Sequence, residues 1–236
     1  AGVLGGAVGD ELGQLGGAAG GGAAATSIPD AWASRGGALV PRLEALLDRV
    51  KRSDLEAPVR VGFEGVLRRW RKRAGDVFTD WAELLTDPVR LAAGLARHGG
   101  AEVSARDIDR TVGWVKQQLA PPPEPPVDDD GHAIETSDGL PLDDEDLPSG
   151  RLDDEDDPLL LRLVQIKRGG LSSASVEEIV YEHVAIDEAQ DRSALEVKVL
   201  LEATRAHEVG GRIERSITIA GDTAQRLVFD NNFTSW

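Results

Sequence analysis

Asp187 and Glu188 follow the short apolar run Val184-Ala185-Ile186, and Gly221 and Asp222 follow a second run, Ile217-Thr218-Ile219-Ala220, with Gln225 three residues further on. Each run reads as a strand, and polar groups at a strand's carboxyl end sit on rigid backbone facing a ligand crevice. An acidic residue there suits a magnesium ion that bridges the outer phosphates of a nucleotide, while a neighbouring group orients the attacking water. Asp187 and Glu188 have the chemistry for those two roles. Gln225 offers a neutral amide that contacts a terminal phosphate without repelling it, and Asp222 is suited to orienting that amide or coupling it to a neighbouring domain. A plainer alternative is that the acidic pair favours a helix N-terminus through the macrodipole. Ser193 with Glu196 makes a capping-box pattern, so a helix is expected to begin there whatever the chemistry.

The two segments, His183-Val-Ala-Ile-Asp-Glu-Ala-Gln-Asp191 and Gly221-Asp-Thr-Ala-Gln225, resemble the second and third motifs of superfamily 1 helicases of the UvrD/Rep type. The likeness covers roughly residues 176–236. It implies that Asp187 holds magnesium through water, that Glu188 is the catalytic base, and that Gly221, Asp222 and Gln225 form the phosphate-sensing motif. Gln190 and Asp191 would link the site to other motifs. ATP and Mg2+ are the cofactors so implied. The position where DNA-translocating members carry a base-stacking aromatic is Val228, with Phe229 one later, which argues against base stacking.

No segment reads GxxxxGK[ST]: the lysines at 51, 72, 116, 167 and 198 never follow a glycine. The chain by itself is therefore not expected to hydrolyse ATP. It has no methionine, begins at Ala1 and stops at Trp236, and reads as a fragment of a motor whose P-loop lies upstream and whose second motor domain lies downstream.

The elements that position these residues divide by composition. Residues 1–38 form a glycine-rich segment, with 10 glycines among the first 25, and are expected to be a flexible linker. Residues 39–120 carry helical apolar spacing: Leu39, Leu43, Leu46, Leu47 and Val50 share one face, as do Phe63, Val66, Leu67 and Trp70. Asp87-Pro88 marks a helix start, Gly99-Gly100 a stop, and Ser104 with Asp107 a further cap before Pro121, so four or five short helices are expected. The cluster Arg68-Arg69-Trp70-Arg71-Lys72-Arg73 suits either a phosphate-gripping patch or a solvated face with Trp70 turned inward.

Residues 121–158 hold 15 Asp and Glu against one Arg, which is −14 of the chain's net −16. Prolines and like charges predict an acidic, disordered loop. Such a loop repels nucleic acid over a Debye length of about 8 Å and suits a basic protein surface. In position and character residues 39–170 look like the insertion of HelD-like factors, the superfamily branch that binds and recycles bacterial RNA polymerase. That resemblance implies RNA polymerase core as partner, with Asp143, Asp144, Glu145, Asp146, Asp153, Asp154, Glu155, Asp156 and Asp157 as contact residues. A solvated tether is the alternative use of such a charge run, and single-stranded DNA is the partner under the UvrD/Rep reading.

Residues 159–236 read as part of an α/β domain. Leu159–Ile166 fits a strand or a buried helix turn, Ser175 with Glu178 a helix start, and Ala194–Ala206 a crossover helix between the two strands. Strand, helix, strand predicts a parallel sheet of RecA-like, P-loop NTPase type. With no cysteine there is neither disulfide nor thiolate metal site, and the four histidines show no ligand spacing. No run of about eighteen apolar residues is present, so no membrane contact is expected and a cytoplasmic protein is the expected class.

Overall fold

The computed structural model describes residues 2–18, 28, 30–32, 37–98, 103–121, 150–171 and 179–222. Gln225, Val228, Phe229, Ser175, Glu178, the Gly99-Gly100 stop and Asp143–Asp146 lie outside the described residues. The chain forms two compact units, one of residues 1–77 with 158–236 and one of residues 78–157.

In the first unit, α1 (Gly2–Ala18), α2 (Leu39–Lys51) and α3 (Ala57–Gly75) pack around one apolar cluster. The predicted face of α2, Leu39, Leu43, Leu46, Leu47 and Val50, is buried, as are Phe63, Val66 and Leu67 of α3. Each such side chain contributes about 1.5–3 kcal/mol when fully removed from water. Pro58 opens α3 in the first turn, where no backbone donor is needed.

The expected flexible linker is helical over Gly2–Ala18. Val8 and Leu12 lie one turn apart and are fully buried, Leu15 packs beside them, and Ile28 and Trp32 join the same cluster. Glycine weakens a helix by about 1 kcal/mol per residue relative to alanine, yet tertiary burial of one apolar stripe outweighs that local preference. Gly9 has a packing use, because an added Cβ would meet the Trp32 ring at 3.4 Å. Trp32 in turn lies under the Arg42 guanidinium, 4.1 Å from the ring centroid.

The basic cluster of α3 is the solvated face of a helix whose Trp70 turns inward. Trp70 packs against the core and donates its indole N–H to Glu11 of α1 at 2.6 Å. Arg69 pairs with the same carboxylate, Arg68 with Glu64 and Arg71 with Glu44.

The segment after Pro158 opens with a helix, α7 (Asp157–Arg168), which settles the choice left open for Leu159–Ile166. It ties the α1–α3 layer to the motif-bearing segment. Lys167, 4 % exposed, donates to the carbonyl of Asp76 at 3.2 Å, and Gln165 donates to the carbonyl of Val199 at 2.8 Å. Arg162 pairs with Glu202. The segment expected to be one helical insertion is therefore divided, because the apolar faces of α2 and α3 are completed by α1 and their end is held by α7.

Next come β1 (Val184–Ile186), a single 3-10 turn (Ala189–Asp191) and α8 (Ala194–Glu202). The hairpin β2 (His207–Val209) with β3 (Arg212–Glu214) then leads to β4 (Ile217–Ile219). β1 and β4 pair in parallel, with Val184 opposite Ile217 and Ile186 opposite Ile219. This makes the unit α/β; among the described residues the parallel sheet has two strands, beside a two-stranded antiparallel hairpin, and the expected full RecA-like sheet is not shown.

The second unit holds most of α4 (Val77–Leu85), with α5 (Pro88–Arg97) and α6 (Ala105–Gln118). Asp87 caps α5 by accepting from the amides of Val89 and Arg90, and Ser104 with Asp107 forms a capping box on α6. Trp81 is fully buried and stacks on Phe78, and Val112 and Val115 are buried on α6. Among the described residues no helix is long and apolar enough to cross a membrane.

Candidate functional site

The site lies at the carboxyl ends of β1 and β4. Hydrogen bonds carry the strand pairing past the last residues of both strands: the Ala220 amide donates to the Ile186 carbonyl at 2.8 Å, and the Ala189 amide donates to the Ala220 carbonyl at 3.0 Å. Asp187-Glu188 and Gly221-Asp222 consequently emerge side by side at one edge of the sheet, and all four are exposed.

Glu188 has φ 50 and ψ 41, the only non-glycine residue with positive φ among the described residues. That left-handed conformation costs an ordinary side chain about 1–2 kcal/mol and persists where the surroundings over-determine it. Four bonds do so here. The Glu188 amide donates to Asp187 Oδ1 at 3.0 Å, and the Glu188 carbonyl accepts from the Asp191 amide at 3.0 Å. The next amide, of Ala189, is fixed on Ala220, and the Glu188 carboxylate accepts from the side chain of Gln190 at 2.6 Å. The chain turns sharply as it leaves the strand, which sets the Glu188 side chain at the sheet edge.

Gln190 is completely buried. Its Nε2 donates to Glu188 Oε2, and its Oε1 accepts from the Asp222 amide at 3.0 Å. A buried amide with both ends engaged avoids the desolvation penalty of an orphaned polar group. Asp191 is half-buried and closes the 3-10 turn.

Beyond the turn, Ser193 caps α8 in the predicted capping box with Glu196. Partial burial raises the Glu196 pKa, while hydrogen bonds from the Ser193 amide and hydroxyl, with Arg192 nearby, lower it; the lowering prevails. On the sheet itself His183 spans both strands, with Nδ1 2.7 Å from Ser216 Oγ and Nε2 3.2 Å from Thr218 Oγ1.

Of the residues expected at the site, Asp187, Glu188, Gln190, Asp191, Gly221 and Asp222 are gathered at this edge. Asp153 and Asp156, expected as partner contacts, are engaged within the second unit. Asp153 Oδ2 accepts from Trp114 Nε1 at 2.8 Å and from Gln118 Nε2 at 3.0 Å. Asp156 Oδ2 accepts from Gln118 Nε2 at 2.8 Å and from the Asp153 amide at 3.1 Å. The Gly150 amide donates to the Gln118 carbonyl at 2.9 Å, so the chain that leaves α6 at Pro121 returns to the same helix end at Gly150. Asp154 and Glu155 are exposed, and Asp157 opens α7.

The spacing of the motifs did not reveal two contributors to the geometry. The left-handed Glu188 has no sequence signal, since glutamate is not a residue that favours this conformation. The β2–β3 hairpin did have one: Gly210-Gly211 between Glu208-Val209 and Arg212-Ile213, with both glycines at positive φ as a two-residue hairpin turn requires.

Among the described residues no group of three or more His, Asp or Glu side chains is placed to hold a metal alone. Comparison with protein-family models, with curated proteins and with solved structures finds no match to this chain.

Proposed function

We propose that this chain contributes the strand-end half of the nucleotide site in an ATP-driven motor of the superfamily 1 helicase type, in the branch of HelD-like factors that bind and remodel RNA polymerase. The observation that carries the reading is the parallel register, with Ile186 opposite Ile219, which sets the Asp187-Glu188 pair and the Gly221-Asp222 turn along one sheet edge. In this reading Asp187 holds magnesium through water and Glu188 takes the proton of the attacking water. Gln225 contacts the terminal phosphate. The lysine for the outer phosphates comes from a segment other than this chain's, which has no GxxxxGK[ST] sequence.

Two observations favour a protein track over single-stranded DNA. Arg68, Arg69 and Arg71 pair with carboxylates, so three of the five cations in the main basic cluster already carry a local counter-charge. Asp154 and Glu155 are exposed, and they belong to a stretch of 15 Asp and Glu against one Arg whose charge suits a basic surface.

The test is ATP turnover by the full-length protein containing this chain, measured alone, with saturating single-stranded DNA and with RNA polymerase core. Turnover indifferent to DNA and altered by polymerase supports the reading, and strong stimulation by DNA replaces it with a translocating helicase. Glu188→Gln should lower turnover by about 10²–10⁴-fold with ATP binding retained, as for loss of a positioned base. Unchanged turnover would remove Glu188 from that role.

A further inference from the structure

We infer that Gln190 is a positioning residue that sets the Glu188 carboxylate against the Gly221-Asp222 turn, so that the base and the second motif move as one piece. The inference rests on the hydrolase reading above and adds to it the part that makes the two motifs interdependent.

The geometry is specific. Gln190 is fully buried, while both groups it joins are exposed. Its amide nitrogen holds Glu188 Oε2 at 2.6 Å, and its amide oxygen holds the Asp222 amide at 3.0 Å. A side-chain amide donates at one end and accepts at the other. A leucine would lose both.

Glu188 has a second reason to need this partner. Its left-handed backbone directs the side chain away from the line of β1, and the bonds from Asp187, Asp191 and Ala189 fix the backbone only. The carboxylate itself is held by Gln190. Since Gln190 is anchored on Asp222, a shift of the 221–222 turn displaces the Glu188 carboxylate. A base held within hydrogen-bond reach of its proton loses effect steeply when displaced by an ångström.

A double-mutant cycle in the full-length protein tests this, with single-turnover hydrolysis, nucleotide Kd and Tm as readouts. Gln190→Leu should lower hydrolysis by about 10–100-fold and leave nucleotide Kd within about twofold. In the Glu188→Gln background the same substitution should change the residual rate less than about twofold, because no base remains to be positioned. Gln190→Met, close to glutamine in length and without its amide, should lose activity like the leucine variant with a smaller fall in Tm, and it carries the test if Gln190→Leu fails to fold. Equal loss in both backgrounds, loss confined to nucleotide affinity, or wild-type hydrolysis by Gln190→Met overturns the inference. Wild-type hydrolysis by Glu188→Gln alone, read before Gln190 is altered, overturns the hydrolase reading and the inference with it.

Discussion

Leu12→Ala measures whether the glycine-rich beginning of the chain belongs to the core. Leu12 has no exposed surface and lies in one cluster with Val8, Leu43, Phe63 and Leu67. Truncation removes three carbons, worth about 0.8 kcal/mol each in transfer free energy, or about 2.4 kcal/mol. A residual cavity adds about 24 cal/mol per Å³. α1 meets α3 at Gly62, where an added Cβ would lie 3.8 Å from Leu15 Cδ2. The better helix propensity of alanine offsets only tenths of a kcal/mol. The expected loss is about 3 kcal/mol, near the lower end for buried leucines. Urea unfolding followed by far-UV circular dichroism reads it as a midpoint lowered by about 1 M or more with unchanged slope, and Gln14→Ala, on the exposed face, serves as control. A loss below about 0.5 kcal/mol would refute the docking of α1 and return residues 2–18 to the linker that their glycine content suggests.

Gln118→Leu should release Asp153 and Asp156 and loosen the return of the chain at Gly150, which limited trypsin digestion would register as faster cleavage after Arg151; an unchanged cleavage rate contradicts the clasp. Ser193→Ala should cost about 1 kcal/mol in thermal unfolding through loss of the α8 cap. The Glu196 half of that box is pH-dependent: its folded pKa is lowered, so its contribution is present above the ordinary glutamate pKa and fades as pH falls through the folded value. The stability difference between wild type and Glu196→Gln should shrink over that acidic window, and a constant difference would contradict the linkage. For Glu188→Gly, relief of about 1 kcal/mol of backbone strain opposes the loss of the hydrogen bond from Gln190 to the Glu188 carboxylate, about 1.5–3 kcal/mol for a bond to a charged group, so denaturant unfolding should show no gain in stability. A clear gain would mean that the Gln190 bond contributes little.

The helices of residues 39–118 were legible because their signals are local. Asp87-Pro88, Ser104 with Asp107 and Ser193 with Glu196 satisfy backbone donors within one turn, and each sits at an observed helix start. The division of the chain was not legible, because it depends on which apolar faces meet across distance. α2 and α3 carry the same periodicity as α6, yet their partners are α1, whose glycines disguise its apolar stripe, and α7, whose ties are polar: Lys167 to Asp76, Gln165 to Val199. The charge run hid its own structure in the same way. Fifteen carboxylates in 38 residues predict repulsion, but two of them, Asp153 and Asp156, share one amide group, because the end of α6 presents Gln118 Nε2 to both.

At the site, residue types were readable and conformation was not. The two apolar runs predict strands, and the strands pair in the parallel register that sets Ile186 opposite Ile219. Nothing in the types alone places Glu188 in the left-handed region, where its side chain is strained by about 1–2 kcal/mol. Local propensity fails here because four hydrogen bonds from neighbouring positions outweigh it, each worth about 0.5–1.5 kcal/mol net and more where a carboxylate accepts. A sequence that obeys capping and periodicity elsewhere and breaks a local rule at this one residue marks the place where geometry is held against preference, which is the physical signature of a preorganised group. Gln190, fixed in the interior and engaged at both ends, holds the exposed Glu188 carboxylate at the sheet edge while the other three bonds hold its backbone.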